Sequence, residues 1–392
     1  LTQPADSPLS EAPAGALSFA MVAGEASGDL LASLLIQGLR ERWPQAQGNG
    51  IGGPRMAALG FDAWWSHERL AVRGYVEVLR HYRGIVAIRA QLQQRLLATP
   101  PDVFIGVDAP DFNLALEAQL KSAGIPTVHF VCPSVWAWRP ERIEKIRRSV
   151  DHMLCIFPFE PQLLASAGIE ATYVGHPIAS TIAMQPDRHA ARAQLGLDQE
   201  RPVVALLPGS RRSEIEHMTP RFIRAAQLMQ QRQPHLQFVL PAVPSLLSAI
   251  EAQVQSQGGL AGLQIVVGQS HAVLAACDVT LIASGTATLE AALFKRPMVI
   301  AYHMNWISWQ IMKRQKLQPW VGLPNILCQD FVVPEFLQDD CTPEALAQAT
   351  LDWLKRPDRV DDLQDRFEQL HLSLQRDTAQ LSTHALEKVL AA

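Results

Sequence analysis

The chain alternates short apolar runs with longer stretches in which apolar residues recur every three to four positions. Runs of four to eight branched apolar residues bounded by Gly or Pro read as strands buried on both faces, and the 3.6-residue periodicity between them as covering helices. The runs fall at 17–23 (LSFAMVA), 101–107 (PDVFIGV), 125–131 (IPTVHFV), 152–158, 171–174, 203–207 (VVALL), 236–240, 263–267, 279–282 and 298–301. Helical spacing follows at 30–43, near 220–232, at 270–276, and late in the chain at 343–355 and 360–390. Strands alternating with helices predict an α/β protein with parallel sheets, and the rhythm occurs twice. Pro186 and Asp187 mark the break, giving a first domain over 17–185 and a second over 186–355, with closing helices over 356–392. Residues 1–16, rich in Pro, Ala and Ser, predict a disordered leader.

Candidate chemistry collects where the apolar runs stop. The first run meets G-E-A-S-G-D at 24–29, whose glycines allow a tight turn and close approach; the loop is not G-x-G-x-x-G and carries no dinucleotide fingerprint. Glu25 and Asp29 either cap the next helix or face a ligand. The second run ends in D-A-P-D-F-N at 108–113, which puts Asp108 at the carboxyl end of a strand, where open α/β sheets bind ligands. C-P-S-V-W-A-W-R at 132–139 follows the third, and its Trp136 and Trp138 either pack a domain cleft or line an apolar site. His176, beside a glycine turn, is structural or a phosphate contact.

In the second half, L-P-G-S-R-R at 207–212 puts a Gly turn and arginines after a strand, with Ser210 a candidate cap. It suits a phosphate, or is an ordinary strand–turn–helix with exposed arginines. S-G-T-A-T-L-E at 284–290 points backbone N–H groups at an anion without a metal, or forms a plain capping box. Residues 302–320 read as an amphipathic or cleft-covering helix, and L-P-N at 323–325 as the loop after it. Arginines and aromatics interleave over 64–95, which fits an anionic membrane surface or a core-packed helix pair with a basic face.

Composition narrows these choices. The 392 residues suffice for two domains, and 48% apolar with 18% charged is that of a folded globular chain. A formal charge of −4 supplies no global field for nucleic acid. The five cysteines are scattered, with no C-x-x-C pair, which suits a reducing compartment and no thiolate metal site. No apolar run reaches the length of a membrane span.

Taken in order and spacing, G-E-A-S-G-D, D-A-P-D-F-N, P-S-V-W-A-W-R (133–139), L-L-P-G-S-R (206–211), S-G-T-A-T-L-E and L-P-N strongly resemble the lipid-A-disaccharide synthase family, over residues 17 to about 390. The resemblance implies a GT-B fold: two Rossmann-like domains facing each other across a cleft, with the closing helices packed back on the first. It implies inverting transfer from UDP-2,3-diacylglucosamine to 2,3-diacylglucosamine 1-phosphate (lipid X), forming a β-1,6 linkage and releasing UDP. Asp108 then matches the base, Arg211 the diphosphate contact, Ser284, Gly285 and Thr286 the phosphate loop, and Glu290 the ribose ligand. Asn325 takes a supporting place in the donor site. Glu25, Ser27, Trp136, Arg139 and His176 are acceptor or cleft candidates. No cofactor or metal is expected, because an arginine and a helix N-terminus can meet the charge of departing UDP. The implied location is cytoplasmic, peripheral on the inner membrane, with Arg80, Arg83, Trp306 and Trp309 as surface contacts; a homodimer is left open. The competing readings are another UDP-sugar transferase or epimerase on this architecture, and a module that only binds a phosphorylated lipid or nucleotide.

Overall fold

The computed structural model describes residues 16–70, 75–137, 140–305, 309–310 and 317–392, with backbone alone for 75–82. One parallel sheet holds β1 (Ser18–Ala23), β2 (Gln47–Gly52), β3 (Asp62–Ser66), β4 (Val103–Val107), β5 (Thr127–Phe130), β6 (His152–Cys155) and β7 (Ala171–Tyr173), in the order β3-β2-β1-β4-β5-β6-β7. A second holds β8 (Val203–Leu207), β9 (Gln237–Ala242), β10 (Leu263–Val267), β11 (Val279–Ala283), β12 (Met298–Tyr302) and β13 (Glu335–Leu337), in the order β10-β9-β8-β11-β12-β13. Both are doubly wound. Strand order reverses between β1 and β4, which pair from Phe19↔Val103 to Ala23↔Val107, and again between β8 and β11. Parallel strands require crossovers, the crossover helices cover both sheet faces, and so β4, β8 and β11 are apolar and buried throughout.

Three strands escape the apolar pattern. Half of β2 (QGNGIG) is glycine, because the sheet face there belongs to a neighbour: a Cβ on Gly48 would lie 2.2 Å from the Phe19 ring. Strand β3 carries Trp64 and Trp65, and β13 is three half-buried residues long. The guanidinium of Arg95 lies over both tryptophan rings at 5.1 and 5.2 Å, and helix Tyr75–Ala98 sends Ile85, Ile88, Leu92 and Leu96 into a core with Phe104 and Leu116. Of the two readings of 64–95, core packing therefore accounts for these residues. Arg83 is exposed, and the Arg80 side chain lies outside the described residues.

The chain divides into two compact units, one running through Pro177 together with Arg376–Ala392, the other Ile178–Gln375. Two expectations change here. The break falls several residues before Pro186, and the closing stretch does not go to the first unit as a whole. Helix Pro357–Leu374 stays with the second, where the His371 ring nitrogens bond Lys295 Nζ and the Ala179 carbonyl. The Asp377 carboxylate then caps a new helix, Thr378–Leu390, by accepting from the Gln380 N–H at 2.9 Å. That helix joins the first unit, packing on helix Ala26–Arg42 with an Arg42–Glu387 ion pair. The predicted loop at L-P-N is instead the start of a short helix, Leu323–Cys328, since a proline in the first turn needs no N–H partner. Residues 1–15 of the expected leader, and Trp306, lie outside the described residues.

Candidate active site

At the switch point of the first sheet, the loop after β1 and the loop after β4 lie side by side: a Cβ on Gly24 would come within 2.7 Å of the Ala109 side chain. Asp108 and Ala109 both adopt left-handed backbone, φ 52° and 45°. Aspartate tolerates this region, alanine does not, and such strain of about 1–3 kcal/mol per residue persists only where surroundings enforce it. Here the Asp108 N–H donates to the Phe130 carbonyl and the Asn113 amide donates to the Asp108 carbonyl, each at 2.8 Å. Burial raises the Asp108 carboxyl above its ordinary range, against His129 and the Ala109 N–H, with the charge of Glu25 adding to the rise.

Beneath Asp108 sits a polar cluster that the sequence reading missed. His129 of β5 and Glu117 of helix Pro110–Ser122 are fully buried, with Nδ1 and Oε1 2.7 Å apart. The second nitrogen of His129, the second oxygen of Glu117 and the Asn113 oxygen have no hydrogen-bond partner among the described residues. Nothing in the runs IPTVHFV and LALEAQL separates such a pair from an ordinary strand and helix.

Other first-unit candidates scatter. Glu25 and Ser27 are exposed at the start of their helix, and the Glu25 side chain makes no cap hydrogen bond. Asp29 caps a different helix, Pro54–Ala58, accepting from the N–H groups of Gly53, Arg55 and Met56 at 3.0–3.1 Å. Trp136 lies in the unit's interior, edge-on to Phe157 and Phe159, its Nε1–H donating to Glu160 at 3.0 Å. That replaces both the cleft and the ligand-lining reading for it. His176 packs on Phe157, and burial pushes its pKa down to about 4, so it carries no charge for a phosphate near neutral pH. Trp138 and Arg139 fall outside the described residues.

The second switch point brings together the loops after β8 and β11. Gly209 has φ 123°, and a Cβ there would lie 2.4 Å from a carboxylate oxygen of Glu214. That carboxylate, not Ser210, caps the helix. One oxygen accepts from the Ser210 and Arg211 N–H groups at 2.8 and 3.1 Å, and the other takes Arg211 Nη1 at 3.2 Å. The loop's own N–H groups are thus engaged, while the Arg211 side chain, 72% exposed, remains presented to solvent. After β11, Gly285 and Thr286 are exposed ahead of helix Ala287–Leu293 and Ser284 is half-buried. Glu290 pairs with His271 at 3.2 Å, which raises the histidine's pKa against its burial. His271 also lines an open groove of about 700 Å³ between helices Arg188–Leu195 and Ser270–Ala276. Asn325 is fully buried: its amide donates to the Val333 carbonyl and to Glu335, and its oxygen accepts from the Val332 and Val333 N–H groups. Every hydrogen-bonding atom of its side chain is spent on holding 325–335 together, so it supports this wall without reaching a ligand. Trp309 is half-buried. Among the described residues no group of three or more His, Cys, Asp or Glu side chains could hold a metal ion, and no helix is long and apolar enough to cross a membrane.

Two doubly wound sheets, each with a glycine loop at its switch point, define the GT-B class, and the solved structures agree. The UDP-GlcNAc 2-epimerase of Neisseria meningitidis bound to UDP-GlcNAc matches with a TM-score of 0.64 at 11% identity, over 96% of this chain and 100% of that one. The calicheamicin glycosyltransferase CalG4 matches with 0.58 at 15% identity, over 96% and 99%. At such identities the likeness is one of fold alone. Sequence resolves the rest: the model of the lipid-A-disaccharide synthetase family matches residues 19–389, and the chain belongs to that family of enzymes. It is similar to the lipid-A-disaccharide synthases of Albidiferax ferrireducens (64% identity over 95% of this chain and 97% of that protein), Verminephrobacter eiseniae (60% over 98% and 99%) and Burkholderia pseudomallei strain K96243 (53% over 95% and 97%).

Proposed function

We propose that this enzyme transfers 2,3-diacylglucosamine from UDP to the 6-hydroxyl of 2,3-diacylglucosamine 1-phosphate with inversion, giving the β-1,6 disaccharide 1-phosphate and UDP. The observation that carries the reading is Asp108, a carboxylate on strained backbone at a switch point, with its pKa raised by burial above the ordinary aspartate value. Inverting transfer needs one carboxylate base on the nucleophile's side, by analogy with inverting hydrolases. As the acceptor oxygen forms its bond to the donor's anomeric carbon, the bond from that carbon to the diphosphate breaks, and Asp108 takes the hydroxyl proton. A base is most effective when its pKa lies near the working pH, which burial here favours.

The departing UDP needs positive charge. Arg211 is exposed at the second switch point and supplies a planar fork suited to phosphate, joined by the N–H groups of Gly285 and Thr286, the Ser284 N–H donating to the Ala301 carbonyl at 3.0 Å. Glu290, already a hydrogen-bond acceptor for His271, is set to accept from ribose hydroxyls. With this set no metal is required. Both substrates carry acyl chains, so the enzyme works at the cytoplasmic face of the inner membrane as a peripheral protein. The deciding experiment is an assay of purified protein with both substrates in excess EDTA, reading product mass. A disaccharide 1-phosphate is expected; no product, or product only after Mg²⁺ or Mn²⁺ is restored, overturns the reaction or its metal independence respectively.

A further inference from the structure

A cavity of about 210 Å³ opens beside Asp108 inside the first unit, walled by Pro110, Cys132, Ser134 and Val135, with Arg142 on its rim. Arg142 begins helix Arg142–Ser149, and its side chain is only 23% exposed. It reaches Asp111 at 2.9 Å, but Asp111 is 83% exposed, and an ion pair with so solvated a partner holds weakly. Asp111 has a second favourable role that does not need Arg142, as the acid in the first turn of helix Pro110–Ser122. A mostly buried guanidinium, lightly held by an exposed carboxylate, faces a small cavity that also contains the candidate base.

We infer that this cavity seats the acceptor sugar, and that Arg142 binds the acceptor's anomeric phosphate. The inference rests on the proposed reaction and assigns its acceptor subsite. In the acceptor, the 1-phosphate is on one of the two ring carbons that flank the ring oxygen, and the other bears the exocyclic carbon that carries the 6-hydroxyl. A base for one and a cation for the other must therefore lie within the span of a single sugar, and Asp108 and Arg142 line one cavity of that scale. Phosphate displaces Asp111 because it offers the guanidinium two parallel charge-assisted bonds and carries more charge than a carboxylate. Arg142 thereby selects the phosphorylated acceptor and aims its far end at Asp108.

The test compares diacylglucosamine 1-phosphate with the same molecule lacking its phosphate, in mixed micelles, using wild type, Arg142→Ala, Arg142→Lys and Asp111→Asn. Wild type is expected to prefer the phosphorylated acceptor in kcat/KM by about 10²-fold, the scale of a bidentate charged contact. Arg142→Ala should lose about that factor on the phosphorylated acceptor and almost nothing on the other, with UDP affinity unchanged. Arg142→Lys, which keeps the charge without the fork, should lose part of it, again on the phosphorylated acceptor only, and carries the comparison if the alanine variant does not fold. Asp111→Asn should keep the preference. Equal losses on both acceptors, or a preference that survives Arg142→Ala, would show Arg142 to be a structural clamp and end the assignment. Absence of turnover by wild type on either acceptor would instead reject the reaction on which the inference rests.

Discussion

Asp108 combines a left-handed backbone, a half-buried carboxylate and a polar cluster below it, and each has a measurable consequence. Asp108→Asn keeps the shape and removes the basicity. It should lower kcat by about 10²–10⁴, the usual worth of a general base, while calorimetry shows UDP binding close to wild type. Because burial raises this carboxyl, the acid limb of kcat/KM should break at a higher pH than an ordinary aspartate would give. A variant with near-native kcat would make Asp108 structural. In the second unit, Arg211→Ala and Glu290→Gln should each weaken UDP as a product inhibitor, and Arg211→Lys should restore only part of the loss. Glu290→Gln should also return the His271 pKa towards its unperturbed value by NMR titration, since that carboxylate is what raises it. Unchanged inhibition in both variants would remove these residues from the donor site. Positions such as Asp108 and Arg211 were legible from sequence because a strand end followed by a turn announces itself. Glu117, His129 and Arg142 were not, because their meaning depends on what lies across from them.

Among the elements, the segment after β5 shows how an unusual motif can divide its work, with Trp136 in the interior and Cys132, Ser134 and Val135 on a cavity wall. Trp136 turns inward because Glu160, at the start of helix Glu160–Ala165, accepts both its Nε1–H and the Phe157 N–H at 3.0 Å. Burial nevertheless raises Glu160 to about 7 from 4.5. Between those values the folded protein binds a proton that the unfolded chain does not, so stability should fall as pH rises from about 4.5 to 7 and level off above. The full effect is about 3 kcal/mol. Glu160→Gln, which mimics the protonated acid, should flatten Tm against pH in this window; parallel wild-type and variant curves would contradict the assignment. Strands β1, β4, β8 and β11 were readable because burial on both faces forces apolar runs. Strand β2 was not, because the Phe19 ring occupies the space its side chains would need.

For the whole molecule, no described helix is long and apolar enough to span a bilayer, and the acylated substrates of the proposed reaction call for a contact with its surface. Arg83 is exposed on helix Tyr75–Ala98, and Arg80 lies one turn before it. Reversing both to Glu should reduce flotation with anionic liposomes, and reduce turnover on vesicle-borne substrate more than on short-chain analogues. The wild-type interaction should weaken as salt rises. Equal flotation of the two proteins, or none by wild type, would discard that surface. The sequence by itself determined the α/β class, the twofold repetition of the strand–helix rhythm, the glycine loops at the strand ends and the family, because these follow from local periodicity, turn chemistry and ordered motifs. Only the tertiary structure decided that the last two helices part company between the units and that Trp136 and Asn325 serve the scaffold. It alone set Arg142 beside Asp108. Each of these is a meeting of residues distant along the chain or turned from one face to another, and local periodicity carries no record of such meetings.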